Sequence, residues 1–272
     1  MDAGEHRARA LAAATLGIDA GAIRSVQRIQ HGLTNENWIV RSAQHAVVVR
    51  LNCPMAGELG VDRRNEERIL AIAARAGVGP RVLRCDHEEN ALVTELLPGT
   101  SWSRDYARTS TGIARFAQLM REVHALPIAD GIKRVDALSV VQGYWSTLER
   151  YGHSAGSAEQ RAMASVLGQQ LRDDLRLRLC HNDVHHLNLI DDGQRVRLLD
   201  WEYAGLGDPY FDLAGICCYH DYDAEQCEQL LQHYLGRRDP TASARLDAAR
   251  WMFNYIRELW MAVSACSRAA AT

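Results

Sequence analysis

The chain has 272 residues, 47% of them hydrophobic and 24% charged, which provides a sizeable core, as one large domain or two lobes, and sets disorder aside as the default. With 31 Lys and Arg against 34 Asp and Glu the net charge is −3, and no basic run is long enough to follow a phosphate backbone, so nucleic acid is not an expected partner. No uncharged apolar run reaches the ~18 residues of a spanning helix, and Met1 to Arg7 lacks a secretory apolar stretch; a cytoplasmic protein without a membrane partner is expected.

Seven cysteines, an odd number with no Cys-x-x-Cys, read as reduced and mostly buried thiols. Lys133 is the only lysine, which excludes a P-loop, because that loop needs Gly-Lys-Ser/Thr.

Residues 5–16 are rich in strong helix formers and predict a short helix ending at Gly17. From Ile23 to Leu51 the pattern becomes strand-like, with runs at 25–29, 37–41 and 46–51. Between the first two lies His31-Gly32-Leu33-Thr34-Asn35-Glu36-Asn37, a loop able to lay backbone N–H groups and small polar side chains over a phosphate; as a hairpin connection it reads equally well. Arg50 interrupts an apolar strand on the face of Val48 and needs a partner.

Asp62 predicts the N-cap of the next helix, and Gly77 with Pro80 its end. Glu66 shares that helix's apolar face with Ile69, Leu70 and Ala73, whereas Glu67 points elsewhere. Arg50 and Glu66 are thus candidates for a buried ion pair that positions a phosphate, the alternative being two unrelated side chains that reach solvent. Residues 91–97 read as a further strand stopped by Pro98-Gly99, where a lobe boundary is expected. Beyond it helices are predicted over 111–126, with His124 on the apolar stripe as a hydrogen-bonded core residue, and near 140–151 and 158–173.

The densest pattern spans 179–213. A strand runs into His181-Asn182-Asp183, and 187–190 with 195–199 read as a β-hairpin that brings Asp183, Asn188 and Asp200 to one rim. His-x-Asp-x-x-x-x-Asn followed by a strand ending in Asp is the arrangement of the protein-kinase catalytic loop and metal-binding Asp. Phosphoryl transfer requires little covalent help; an aspartate takes the acceptor's proton while an amide and a carboxylate oxygen hold hard Mg²⁺ on the phosphates. The four-residue spacing of His181 and His185 suggests zinc only on a helix, and this segment reads as loop.

These residues, with Leu198-Leu-Asp200-Trp-Glu-Tyr-Ala-Gly-Leu-Gly-Asp208-Pro-Tyr-Phe-Asp212, resemble the aminoglycoside phosphotransferase and choline kinase family, in particular its bacterial choline- and thiamine-kinase-like branch. The loop ending in Thr34-Asn35, Arg50, Glu66 and Glu95-Leu-Leu-Pro-Gly99 extend the likeness. The resemblance implies an α+β, bilobal, protein-kinase-like fold. Its small antiparallel-sheet N-terminal lobe, residues 1–97, would carry one main helix and bind the nucleotide; its larger, mainly helical lobe, residues 98–272, would carry catalysis and the acceptor. It further implies Asp183 as catalytic base, Asn188 and Asp200 as Mg²⁺ ligands supported by Glu202, and ATP held by Thr34, Asn35, Arg50 and Glu66. The backbone over Glu95 to Leu97 would face adenine, and Asp212 would steady the catalytic loop. Arg50 stands where protein kinases carry lysine, as in choline-kinase-like sequences.

For the acceptor, Tyr203, Tyr219, Tyr222, Trp251, Tyr255 and Trp260 offer aromatic faces worth ~0.5–2 kcal/mol per contact with a cation, although core packing is the commoner role for any one of them. The resemblance selects Tyr203 and Trp260 as substrate-facing. The expectation is an ATP- and Mg²⁺-dependent kinase of choline or a related amino alcohol, a small-molecule substrate with a cationic amine; thiamine, then aminoglycosides or aminosugars, are the alternatives. A catalytically idle, nucleotide-binding relative is the alternative outside enzymes.

Overall fold

The computed structural model describes residues 2–30, 34–173 and 177–270; part of the His31–Asn37 loop and the start of the expected 175–180 strand lie outside them. Helix α1 (Ala3–Leu16) ends on Gly17 in the left-handed region at φ 65°, as its sequence predicts. Strands β1 (Ser25–Ile29), β2 (Glu36–Arg41) and β3 (Ala46–Leu51) follow. Then come helix α2 (Arg63–Ala76), β4 (Val82–Asp86) and β5 (Ala91–Glu95). They build an antiparallel five-stranded sheet in the order β1-β2-β3-β5-β4. The β4 strand has no counterpart in the sequence reading, because Val82-Leu-Arg-Cys-Asp lacks strict apolar alternation; all five of its residues are half-buried.

The Asp62 side chain accepts from the Arg64 and Asn65 backbone N–H groups, and Gly77 closes α2 at φ 70°, so both expected caps are formed. Apolar packing forms two clusters. One places α1 on the sheet through Ala8, Leu11, Trp38, Val40 and Val49. The other joins the inner face of α2 (Ile69, Leu70, Ala73) to the helices that follow. Helix α2 is therefore the element shared by sheet and helices, and Asn65 reinforces this by donating to Ala204 O at 2.8 Å.

The remainder is mainly helical, with β6 (Thr100–Ser101) and α3 (Arg104–Ala107) leading into α4 (Ser110–His124). The stripe Ile113, Phe116, Ala117, Met120 and Val123 on α4 is fully buried, each large side chain contributing ~1.5–3 kcal/mol. Helices α5 (Ala137–Arg150) and α6 (Ala158–Asp173) precede β7 (Arg178–Cys180). The predicted hairpin is β8 (Leu189–Asp191) paired with β9 (Val196–Leu198), and β6 adds to its edge. Strand β10 (Gly205–Gly207) pairs with β7 and leads into α7 (Pro209–Tyr219), α8 (Ala224–Leu235) and α9 (Pro240–Ala270). Gly205 is required there, since a Cβ would come within 2.7 Å of the Lys133 carbonyl oxygen. All seven cysteines are free, and no helix among the described residues is long and apolar enough to cross a membrane.

Candidate active site

A cavity of about 1230 Å³ opens between the sheet and the helices, and every site residue expected from the sequence lines it, from Thr34 and Asn35 through Glu95 and Leu97 to Trp260.

The loop after β7 is shaped by Asp212. In Gly207-Asp208-Pro-Tyr-Phe-Asp212, Asp208 caps α7 by accepting from Tyr210 N, and Pro209 occupies the first turn, where its missing N–H costs nothing. This places Asp212 one turn into α7, 1% exposed. Its carboxylate accepts from Asn182 N at 2.6 Å, His181 N at 2.9 Å and His124 Nε2 at 2.9 Å. Since an ionised carboxylate only accepts, His124 Nε2 donates to it, and His124 Nδ1 lies 2.9 Å from Tyr234 OH. Burial works to raise the Asp212 carboxyl, but the hydrogen bond and charge of His124 outweigh it and hold the group below the usual range. The two anchored N–H groups fix Asn182 at φ 66°, a left-handed conformation that asparagine tolerates.

Asp183 follows directly. Tyr219 OH, from the last turn of α7, donates to Asp183 Oδ1 at 3.0 Å, and His185 Nε2 lies 3.9 Å from Oδ2. Burial, together with the Glu202 and Asp212 charges, pushes the Asp183 carboxyl up to about 6, against the lowering effect of His181 and the Tyr219 bond. Burial drives His185 down to about 4, so it is neutral beside Asp183.

The hairpin sets the other two groups. Asn188 donates from Nδ2 to Asp183 O at 3.0 Å, leaving its Oδ1 as the group able to accept or ligate. Asp200, two residues past β9 with φ 61°, meets Arg50 Nη1 at 3.1 Å. Burial and the neighbouring Glu202, Glu66 and Asp183 carboxylates push Asp200 well above the usual range even with Arg50 beside it.

On the sheet side, Arg50 Nη2 donates to Glu66 Oε2 at 2.6 Å and its Nε to Asn52 Oδ1 at 2.8 Å. Both members of the Arg50–Glu66 pair are buried, at 7% and 3% side-chain exposure. The predicted pair forms because β3 lies under α2 and Glu66 shares the inward face of that helix. Arg63, which the sequence reading did not single out, completes the network: its Nη1 reaches Glu202 Oε2 at 2.7 Å and Glu66 Oε2 at 3.0 Å, and its Nη2 reaches Asn35 Oδ1 at 3.0 Å. Its (i, i+3) position before Glu66 is the signal that could have revealed it.

Glu202 and Asn35 therefore lie less open than the sequence suggests. Asn35 Nδ2 donates to Glu202 Oε2 at 2.7 Å, Thr34 Oγ1 reaches Glu202 Oε1 at 3.4 Å, and Cys53 N donates to Asn35 Oδ1 at 3.0 Å. Glu202, 4% exposed, is engaged at both oxygens by protein groups, so it ties the segment after β9 to Asn35 and Arg63 more than it offers an open ligand position. Across the cluster the carboxyl groups of Glu66, Asp200 and Glu202 meet the guanidiniums of Arg50 and Arg63, one acidic group more than the cations, with Asp183 a further acidic group on the same cavity wall.

The structure sorts the aromatic candidates. Trp260 Nε1 donates to Tyr203 OH at 2.9 Å, and both rings line the cavity. Tyr219, with Phe253 at 5.5 Å between ring centroids, lines the same end. Tyr255 is buried, accepts from Trp145 Nε1 at 3.0 Å and packs on Trp251, and Tyr222 is bonded to Ala107 O; those three rings are core. Of the histidines, His181 is fully buried with Nε2 2.8 Å from Leu199 O. Neither group of potential metal-ligating side chains among the described residues contains His181 or His185.

Comparison with known proteins bears on the family and the fold. The chain is 25% identical over 245 residues to the protein LicA of Haemophilus influenzae, covering 85% of this chain and 71% of that one. It superposes on a choline/ethanolamine kinase family protein from Mesorhizobium loti with TM-score 0.78 and 25% identity, covering 98% and 88% of the two chains. The choline kinase LicA from Streptococcus pneumoniae has the same fold, with TM-score 0.83 at 21% identity over 98% and 92% of the chains. Residues 25–247, which hold every group described above except Trp260 and the α9 side chains beyond Asp247, match the phosphotransferase enzyme family, and the chain belongs to that family.

Proposed function

We propose that the protein transfers the γ-phosphoryl group of ATP, with Mg²⁺, to the hydroxyl of choline or a related amino alcohol. The observation that carries this reading is the juxtaposition of Asp183, on a loop pinned by Asp212, with a cluster of three carboxyl groups against two guanidiniums. Mg²⁺ fits that cluster. Asp200 and the Asn188 Oδ1 are hard oxygen donors of the kind Mg²⁺ takes, and a cation between them would favour the ionised form of Asp200. Bound there, the ion would neutralise phosphate charge during transfer.

The residues divide the work. Residues 1–97 hold the nucleotide in this reading, with Ile39, Val48, Leu92 and Leu199 among the apolar walls for the base and the Glu95 to Leu97 backbone along its edge. Arg50, held by Glu66, binds phosphate oxygens, while Thr34 and Asn35 close the loop above them through Glu202. Asp183 accepts the proton of the acceptor hydroxyl as its oxygen bonds to phosphorus and the bond to the ADP oxygen breaks. Tyr219 fixes the orientation of Asp183 by occupying Oδ1. Tyr203 and Trp260, locked to each other, present ring surface to a cationic amine at the acceptor end.

The choline and ethanolamine names of the relatives support the acceptor class, and the aromatic lining favours it over an aminoglycoside, for which paired acidic groups suit a polyamine. An ATP-consumption screen over choline, ethanolamine, thiamine, aminosugars and aminoglycosides tests the reading. Turnover of choline or ethanolamine with the lowest KM is expected. Turnover of sugars alone would overturn the acceptor assignment, and Mg²⁺·ATP binding without any product would overturn the enzyme reading.

A further inference from the structure

Away from the cavity, a second set of ligating side chains converges where β4 meets α2. Cys85 and His87, two residues apart at the end of a strand, point to the same side, and Glu67 of α2 lies over them. His87 Nε2 is 3.0 Å from Glu67 Oε2 and 3.8 Å from Cys85 Sγ, and one ligand atom from each of the three lies within 4.8 Å of the others. A tetrahedral zinc ion with Zn–S near 2.3 Å and Zn–N or Zn–O near 2.1 Å separates its ligand atoms by roughly 3.3–3.6 Å. The three side chains thus stand within a rotamer adjustment of that spacing.

Two further observations concern the space between them. The side chains border a narrow cleft of about 10 Å³, room for roughly one water-sized sphere. Glu66 lines the same cleft, is 2% exposed, and carries a buried Oε1 with no hydrogen-bond partner among the described residues. A buried, unanswered carboxylate oxygen is costly, and a cation in the cleft would answer it. The neighbouring guanidiniums are already engaged: Arg84 with Asp86, and Arg50 and Arg63 with Glu66.

We propose that Glu67, Cys85 and His87 form a binding site for one zinc-class transition-metal ion, with water in the fourth position. Thiolate and imidazole select such an ion over Mg²⁺, which takes oxygen ligands. Binding releases the Cys85 thiol proton to solvent, and the charges of one thiolate and one carboxylate balance a divalent ion. The site lies one residue along α2 from the Glu66 that holds Arg50, yet it is separate from the Mg²⁺ position proposed above.

The test is calorimetric titration of the metal-free full chain with Zn²⁺ in the presence of excess Mg²⁺, with Co²⁺ as a spectroscopic probe. One Zn²⁺ per chain at micromolar affinity or tighter is expected, with a thiolate-to-cobalt charge-transfer band. Cys85→Ser and His87→Ala should each weaken binding by about 100-fold, and Glu67→Gln by about 10-fold. These side chains are half-exposed or exposed, and thermal melts of the metal-free variants verify their folding. Asp200→Asn should bind Zn²⁺ as the wild type does. Equal stoichiometry and affinity in Cys85→Ser, absence of Zn²⁺ uptake by the wild type, or loss of uptake in Asp200→Asn but not in Cys85→Ser would each overturn the proposal.

Discussion

Asp212→Asn probes the element that shapes the active-site loop. The carboxylate accepts three hydrogen bonds, from Asn182 N, His181 N and His124 Nε2, and it is 1% exposed, so no water replaces a lost partner. An asparagine keeps one acceptor oxygen and turns an NH₂ toward at least one N–H donor. One or two charge-assisted bonds are lost at ~1.5–3 kcal/mol each, and an N–H is left buried, for a cost of about 3–5 kcal/mol. At ~2–4 °C per kcal/mol for a chain of this size, the melting midpoint should fall by roughly 6–20 °C. Because the same two N–H groups place Asp183, kcat should fall by about 10–100-fold while KM for ATP, which the proposed Arg50–Glu66 clamp would set, should change little. The Asp212 carboxyl lies below its usual value in the folded chain, so its contribution is full above the unfolded pKa of ~3.9 and is lost as pH falls through the folded value. The stability gap between wild type and variant should therefore narrow below about pH 4. Thermal melts at several pH values with steady-state kinetics measure all of this. A midpoint within roughly 2 °C of wild type at neutral pH would refute the argument.

Other perturbations separate function from stability. Asp183→Asn should lose ~10²–10⁴-fold in turnover, yet melt no lower than wild type. Burial raises the Asp183 carboxyl to about 6, so its ionised form opposes folding, by about 3 kcal/mol above that pH. A large fall in the melting midpoint of that variant would contradict the assignment. Tyr219→Phe removes a bond that lowers the Asp183 pKa, so the acid limb of kcat/KM, expected near pH 6, should move to higher pH; an unmoved limb would rule Asp183 out as the titrating base. Arg63→Met strips Glu66 and Glu202, each 3% exposed at the side chain, of a shared guanidinium. It should cost ~3–5 kcal/mol in urea denaturation, most of it recovered when Glu202→Gln is added; a strictly additive double mutant would show that Glu202 and Arg63 are not coupled.

Much of the site was legible in the sequence because its residues sit on short, regular pieces of backbone. Period-two alternation placed Arg50 inward on β3, helical spacing placed Glu66 inward on α2, and an apolar hairpin brought Asp183, Asn188 and Asp200 to one rim. The caps at Asp62 and Gly77 and the buried stripe of α4 follow equally from local chemistry, since each is decided within one turn or one strand. The antiparallel sheet followed by helices, with the order His181, Asp183, Asn188 and Asp200, likewise depends on neighbours close in the chain.

Contacts between distant segments were decided by the tertiary structure alone. Glu202 reads as an open metal-site carboxylate until Arg63, Asn35 and Thr34 close around it from more than a hundred positions earlier in the chain. Tyr219 is one aromatic among several until α7 swings its hydroxyl onto Asp183, and Tyr255 and Trp251 are aromatic candidates like the rest until Tyr255 is buried against Trp145 of α5 with Trp251 packed beside it. The meeting of Cys85 and His87 with Glu67 depends on β4, a strand whose half-buried pattern carries no alternation to announce it. Local periodicity specifies which way a side chain faces; its partner is set by how the elements pack, and that packing made Asp183, the Arg50–Glu66 pair and the Tyr203–Trp260 rings share one cavity.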